Sequence, residues 1–268
     1  MRLRSVWVSA LGFALAAAVA CGGGGESQST SSTSAEPSAP AATPAGQRVD
    51  TANAGDIKGV VSLEGEAPKN QPIKMNADPV CVKQNKDAQF SETFAVSDGK
   101  IANVFVYVKD GLGNYVYDTP TEPVKLDQNG CRYTPHVFGV RVGQPVEIMN
   151  SDPTLHNIHA IPKANSEFNN GQPIQGMKMT HTFDKPEVMV PFKCDVHGWM
   201  NAYAGVMEHP YYAVTGTDGS FELKSLPPDT YTIEAWHEKL GTQEVKVTIG
   251  PKETKDANFT FKSTGTTE

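Results

Sequence analysis

The chain has 268 residues, of which 38% are hydrophobic, and its formal net charge is −7. Nucleic-acid binding depends on Lys and Arg contacts with phosphates, so an acidic chain argues against nucleic acid and favours a partner with a basic surface. About 210 residues follow the low-complexity N-terminal part, which is enough for one large or two small domains.

The first residues, MRLRSVWVSALGFALAAAVAC, have the anatomy of an export signal. Arg2 and Arg4 precede an apolar run over residues 6–19, which is shorter than the roughly 20 residues that cross a bilayer. The end of the segment, AVAC, resembles a bacterial lipobox. The resemblance implies a lipoprotein signal peptide over residues 1–21 and lipidation of Cys21; an ordinary signal peptide with an incidental cysteine is the alternative.

Residues 22–55 are dominated by Gly, Ser, Thr, Pro and Ala. Such a composition buries too little apolar surface to fold, so we predict a disordered linker. It would act as a tether that holds the folded part away from a membrane surface. No later segment is long and apolar enough to span a bilayer.

The rest of the chain reads as short strands and turns, without a convincing helix. IANVFVYV (101–108) has apolar residues on both alternating faces, which predicts a strand buried on both sides. HVFGVRVGQPVEIM (136–149) predicts two strands joined by a turn. Turn signals at 218–219 and 227–229 separate further short strands near the C-terminus. This pattern predicts an all-β sandwich or barrel class.

The stretch TDGSFELKSLPPDTYTIEAWH (217–237) resembles the carboxypeptidase regulatory-like family, although Asp229 stands where that family usually has glycine. The usual opening strand of the family has a counterpart at GDIKGVVSLEGEAP (55–68). The resemblance implies a small Ig/transthyretin-like β-sandwich formed by residues 56–121 with 209–265, and a second domain, 122–208, inserted between them. Three consecutive modules are the alternative.

A candidate metal site lies in KCDVHGWM (193–200), where Cys194, His197 and Met200 are spaced three residues apart. Alternation along EVMVPFKC predicts that Cys194 points inward with its apolar neighbours, which are Val188, Val190 and Phe192. Gly198 permits a tight loop that returns His197 and Met200 to the same point. His156, in SDPTLHNIHA, supplies one more imidazole. Two histidines and a cysteine with a weak axial methionine are the blue-copper ligand set.

Residues from about 124 to 208 resemble the cupredoxins, and the short ligand loop is of the amicyanin length. The resemblance rests on the segments VRVGQPVEIMNSDPTLHNIHA and FKCDVHGWMNAYAGV. The resemblance implies a Greek-key β-sandwich with one mononuclear type 1 copper, bound by His156, Cys194 and His197 with Met200 as the axial ligand. It also implies that Asn157 joins the two ligand loops by hydrogen bonds. Gly198 departs from the proline of amicyanin-type loops.

Rival sites are less favoured by the residues. Zinc prefers Cys, His and carboxylates, and methionine is a poor zinc ligand; a structural cysteine with incidental histidines is the other alternative. A dinuclear copper centre needs a second cysteine in the loop, and copper oxidases and nitrite reductases pass electrons through a histidine beside the cysteine. Here the neighbours of Cys194 are Lys193 and Asp195, so we do not expect an enzyme.

Cys81 and Cys131 remain, and in an exported chain such a pair predicts a disulfide. With the domain division above, this disulfide would join the outer sandwich to the inserted domain. His159 is expected to be a surface or packing residue. For Trp199 two positions stay open: an apolar docking patch beside the copper ligand, or packing against the sandwich.

We therefore predict a lipid-anchored electron carrier of the bacterial cell envelope, periplasmic or otherwise extracytoplasmic, that cycles between Cu(I) and Cu(II). Its expected partners are envelope redox proteins, such as a c-type cytochrome or a dehydrogenase. A copper-binding protein for delivery, storage or resistance is the first alternative. An adhesin or carbohydrate binder whose cupredoxin part has lost its metal is the second.

Overall fold

The computed structural model describes residues 46–263. The predicted export signal, the lipidation at Cys21 and residues 22–45 of the predicted linker lie outside the described residues. No helix within residues 46–263 has the length and hydropathy of a membrane span.

The regular secondary structure of the described residues consists almost entirely of strands. In chain order these are β1 (Gly55–Glu64), β2 (Pro72–Ile73), β3 (Gln89–Phe90), β4 (Val96–Ser97), β5 (Lys100–Ile101), β6 (Phe105–Asp110), β7 (Val124–Gln128), β8 (Tyr133–Thr134), β9 (Val137–Arg141), β10 (Val146–Asn150) and β11 (His156–Ala160). They continue with β12 (Phe168–Gln172), β13 (Lys178–His181), β14 (Glu187–Lys193), β15 (Asn201–Met207), β16 (Tyr212–Val214), β17 (Ser220–Leu226), β18 (Asp229–His237), β19 (Gly241–Ile249), β20 (Thr254–Asp256) and β21 (Phe259–Lys262). The prediction of an all-β chain is confirmed.

The two ends of the described chain form one sandwich. Strand β1 pairs antiparallel with β17 and β5 and parallel with β20 and β21. The facing sheet has the order β16-β6-β18-β19. Side chains from residues 57–108 and 211–261 fill the space between these sheets, among them Ile57, Val61, Val106 and Ile233.

The middle of the chain forms a second sandwich. Its sheets have the orders β13-β10-β7-β8 and β12-β11-β14-β15-β9. They enclose a separate core that includes Leu126, Ile148, Ile158 and Phe192. The candidate ligands Cys194 and Met200 belong to this second core.

Strand β6 is buried on both faces, as its sequence predicts. Val104, Val106 and Val108 face the first core, whereas Phe105 and Tyr107 pack against residues of the second sandwich. A Cβ atom at Gly205 would lie only 2.2 Å from Cζ of Phe105. Glycine on β15 is therefore what allows the phenyl ring to lie directly on the sheet that carries the candidate site.

One detail of the predicted strand before the site is wrong. Val188 is 40% exposed, although Val190 and Phe192 point inward. The register of β14 against β15 shifts between Glu187 and Val190, and Met189 has a φ of 64°. The extra residue of this bulge reverses the alternation for the residues that precede it.

The sequence reading also missed a helix. The described residues hold one, α1 (Pro79–Gln84), between β2 and β3. The side chain of Asp78 caps it by accepting from the backbone N–H of Val80 and Cys81, and Pro79 occupies the first turn. Asp followed by Pro is a typical helix start, but six residues are too few to show a helical period.

The end of the predicted linker, residues 46–55, is ordered in this structure. Gln47 forms a β-bridge with Tyr115, and Arg48 forms an ion pair of 2.6 Å with Asp118. The prediction of disorder up to residue 55 is wrong for this part, because these residues pair with the loop that follows β6.

His237, at the end of β18, makes stability depend on pH. It is 2% exposed, and its Nδ1 accepts from the backbone N–H of Lys239 and Leu240. Burial lowers its pKa to about 4, so the unfolded state binds the proton first as the pH falls. We expect this histidine to remove up to about 3 kcal/mol of stability between pH 6.5 and 4.

The measurement is denaturant unfolding of the wild-type protein and His237→Gln at pH 7.5, 5.5 and 4.5. The wild type should lose more stability than the variant across this range. Parallel losses in the two proteins would contradict the prediction.

Candidate metal centre

Three side chains from separate strand ends meet in the second sandwich. His156 is the first residue of β11, Cys194 follows the last residue of β14, and His197 lies in the loop before β15. One ligand atom from each of them lies within 4.8 Å of the others, and all three residues are buried. The structure therefore brings together the three strong ligands that the sequence predicted.

The nitrogens of the two imidazoles face each other. Nδ1 of His156 lies 2.9 Å from Nδ1 of His197, and Sγ of Cys194 lies 4.0 Å from the latter nitrogen. Met200 is also buried, in the same core. Its backbone closes the loop, because its carbonyl accepts from Cys194 and its N–H donates to the carbonyl of His197.

Asn157 connects the two ligand segments. Its Oδ1 accepts from the backbone N–H of Asp195 at 2.7 Å and of Val196 at 3.4 Å, and it lies 3.2 Å from Sγ of Cys194. Asn157 itself directly follows the candidate ligand His156. These hydrogen bonds connect the segment after His156 to the segment after Cys194.

A buried carboxylate lies behind the first imidazole. Nε2 of His156 is 2.8 Å from Oδ2 of Asp152, and both side chains are fully buried. Asp152 also accepts from the backbone N–H of Gly130 and Cys131. With its proton on Nε2 toward this acceptor, the imidazole directs the lone pair of Nδ1 at the site.

The second imidazole has a matching partner on α1. Nε2 of His197 lies 2.9 Å from Oδ2 of Asp78, and Thr154 donates to the same oxygen at 2.8 Å. Sγ of Cys81 is 3.7 Å from Nε2 of His197. The start of α1 therefore covers His197, whose side chain is 3% exposed.

Cys81 and Cys131 form a disulfide in the structure. Both cysteines lie in the second core. The expectation that this bond would join the outer sandwich to the inserted domain is wrong, because the segment that carries Cys81 folds onto the second sandwich. The disulfide instead fastens α1 over the site.

The surroundings of the site shift the pKa values of its ionisable groups. Burial lowers the pKa of His156, but Asp152 and Cys194 raise it to about 9 in total. Burial raises the pKa of the Cys194 thiol, yet His156 and nearby backbone N–H groups lower it below its usual range. For His197 burial outweighs Asp78, and its pKa is lowered. Metal binding at such a site displaces protons.

Trp199 and His159 lie beside the centre without joining it. The indole ring of Trp199 is 5.0 Å from the ring of His197, its Nε1 donates to the carbonyl of Cys131, and it packs on the second core. The two predicted positions were an exposed docking patch and packing against the sandwich. Neither describes the indole ring fully, because the ring packs on the second core and stays partly accessible. His159 interacts with Asp195 and Glu167, away from the ligand atoms.

Sequence reasoning missed Asp78 and Asp152. Each precedes a proline, at DPV (78–80) and DPT (152–154), and this pair of residues is a recognisable turn or helix start. Asp152 is also four residues before His156, which is a usable signal. Nothing local indicates that Asp78 meets a histidine 119 residues later in the chain.

Comparison with known proteins gives a family match for part of the chain. Residues 202–262 match the carboxypeptidase regulatory-like domain. A comparison with curated proteins gives no match.

Solved structures similar to part of this chain include a copper nitrite reductase, a purple cupredoxin and amicyanin. The Cu-containing nitrite reductase (NirK) from Thermus scotoductus SA-01 is 22% identical, with 36% of this chain and 24% of that chain covered and a TM-score of 0.31. A purple cupredoxin from Nitrosopumilus maritimus is 21% identical, with 31% and 99% covered and a TM-score of 0.28. A reduced amicyanin variant is 20% identical, with 34% and 87% covered and a TM-score of 0.29.

The chain thus spans about a quarter of the nitrite reductase, and the structural similarity concerns about a third of this chain. The sequence match has a defined place in the fold, since it runs from β15 to β21. The fold and the family match together establish an all-β chain in which residues 202–262 match the carboxypeptidase regulatory-like domain.

Proposed function

We propose that this protein is an electron carrier with one mononuclear type 1 copper, bound by His156, Cys194 and His197 with Met200 as the weak axial ligand. The observation that carries the proposal is the meeting of one thiolate and two imidazole nitrogens within 4.8 Å in a buried site. When bound, copper supplies a one-electron couple between Cu(I) and Cu(II).

The donor set fits copper better than zinc. A thiolate and a thioether are soft ligands that suit Cu(I), and imidazole suits both copper states. Structural zinc sites use four Cys, His or carboxylate ligands, whereas the fourth candidate ligand here is Met200. The carboxylates of Asp78 and Asp152 face the outer nitrogens of the imidazoles and not the ligand atoms.

The strand frame suits electron transfer. His156 and Cys194 lie at the ends of the paired strands β11 and β14, and the loop from Cys194 to Met200 is closed by backbone hydrogen bonds. Ligands fixed in this way keep one geometry in both oxidation states. Little reorganisation then accompanies the gain or loss of an electron.

The proposed setting is the bacterial cell envelope, with the chain anchored by a lipid on Cys21 and exposed to the periplasm or another extracytoplasmic space. Removal of the signal peptide changes the formal charge from −7 to −9, because Arg2 and Arg4 are lost. Such a protein would meet a basic redox partner, such as a c-type cytochrome or a dehydrogenase, and would transform no substrate. Its transfer rate would fall with increasing salt.

Copper delivery or storage is the second candidate. The observation that favours it is the cover of α1 over His197, which leaves this ligand buried. A covered ligand suits tight retention of a metal.

The test is addition of Cu(II) to the full chain, purified in detergent. We expect one copper per chain, an intense blue colour and reversible one-electron reduction. Colourless binding, or reduction that cannot be reversed, would reject the electron carrier in favour of delivery or storage. A chain that binds no copper would reject both candidates.

A further inference from the structure

The two ligand imidazoles share an arrangement on their outer sides. Nε2 of His156 meets Oδ2 of Asp152 at 2.8 Å, and Nε2 of His197 meets Oδ2 of Asp78 at 2.9 Å. The two carboxylates come from different segments, one from the loop before β11 and one from the start of α1. Each histidine therefore has an anionic acceptor opposite its ligand nitrogen.

We propose that Asp78 and Asp152 are positioning residues that lower the reduction potential of the centre by stabilising Cu(II) relative to Cu(I), an inference that rests on the proposed function. A carboxylate that accepts the Nε2 proton fixes the tautomer and the ring orientation, and it makes the other nitrogen a stronger electron donor. A stronger donor favours the ion of higher charge.

Charge adds to this effect. The Cys194 thiolate, Asp78 and Asp152 place three negative groups around one buried point. Among the ion pairs recorded for residues 46–263, those of Asp78 and Asp152 are with the two histidines. Buried charges are weakly screened, so three anions stabilise a doubly charged ion more than a singly charged one.

Both carboxylates are held by bonds that do not involve the imidazoles. Asp152 accepts from the backbone N–H of Gly130 at 2.8 Å and of Cys131 at 2.7 Å. Asp78 accepts from the backbone N–H of Val80 at 2.8 Å and from Oγ1 of Thr154 at 2.8 Å. These bonds hold the two carboxylates in place before the metal binds. The carboxylates in turn hold the imidazoles in a fixed orientation, so metal binding does not have to order them.

The experiment compares the full chain with Asp78→Asn and Asp152→Asn, each loaded with copper. Asparagine keeps an oxygen that can accept the Nε2 proton but removes the charge. We expect Cu(II) affinity to fall about 10–100-fold and Cu(I) affinity to change at least tenfold less. Each tenfold change in that ratio raises the potential by about 59 mV, the one-electron conversion.

The matched control is Asp127→Asn. Asp127 is also a carboxylate next to this loop, since its Oδ2 accepts from Ser151, but it bonds no imidazole. The reduction potential of the copper-loaded Asp127→Asn variant should stay at the wild-type value. Thermal unfolding of the metal-free proteins checks that the variants are folded, and if Asp152→Asn does not fold, Asp78→Asn decides alone.

A second readout is the Nε2–H signal of His156 and His197 in NMR spectra of the Cu(I) protein. In the wild type both protons should exchange slowly, and each variant should speed the exchange at its own histidine. A blue wild-type protein whose two variants keep the potential of Asp127→Asn would overturn this inference and leave the proposed function standing. A wild type without copper or without the blue colour would overturn both.

Discussion

Replacing Cys194 by serine is expected to abolish the blue colour of the copper-loaded protein and to reduce its Cu(II) affinity by more than about 100-fold, beyond the loss typical of an outer partner. The physical reason is that the sulfur is the soft, electron-rich member of the ligand set, and a hydroxyl does not replace it. The side chain is buried at the point where both imidazoles meet. The measurement is visible absorption combined with copper titration by calorimetry.

The matched control for this prediction is His159→Asn. His159 lies three residues beyond His156, but it contacts Asp195 and Glu167 instead of the ligand atoms. The control should keep full colour and one copper per chain. Colour that survives Cys194→Ser would show that the absorbing copper is bound elsewhere.

Removing the disulfide is expected to cause the largest loss of stability. The bond joins residues 50 apart, and closure of a loop of that length is worth about 4 kcal/mol in the chain-entropy account. The double variant Cys81→Ala/Cys131→Ala should therefore unfold at a clearly lower denaturant concentration. It should also free α1, so that the Asp78 carboxylate leaves His197.

The measurement is guanidinium unfolding of the metal-free protein at pH 7. Wild-type protein treated with a reductant serves as the control, and its stability should approach that of the double variant. A loss of less than about 1 kcal/mol, which is far below the loop-closure value, would mean that packing alone keeps α1 in place.

The candidate ligands were predictable because their signals are local. Cys194, His197 and Met200 lie within seven residues of sequence, so a tight loop suffices to bring them together. His156 is more distant in sequence, but the strand before it and the cupredoxin resemblance predicted that it lies beside Cys194. A short motif in a β context therefore carries most of the information about the ligands.

The surroundings of the ligands were not predictable in the same way. Asp78 contacts His197, which lies 119 residues later in the chain. The helix that begins after Asp78 has only six residues, too few to show a helical period in the sequence. The bulge at Met189 also has no signal in the sequence, because the apolar alternation of the strand looks regular both with and without one extra residue. Such features depend on tertiary packing, which overrides local patterns.

The pairing of the chain ends had a clear sequence signal, whereas the contact between the sandwiches had only the two apolar faces of β6. The opening strand and the C-terminal motif each resembled part of one small family. Gly205 gives no hint that it receives the ring of Phe105, since a glycine in a strand is compatible with a bulge, a bend or a close approach.

The position of β1 in the middle of its sheet indicates the order in which the two sandwiches fold. Three of its partners, β17, β20 and β21, are synthesised about 160 to 200 residues after it, and contacts so distant in sequence form late. The strands of the second sandwich are synthesised before those partners, so we expect the second sandwich to fold first. A chain that stops short of β20 is thus expected to carry a complete candidate site beside an incomplete outer sandwich, with the apolar flank of β1 open to aggregation.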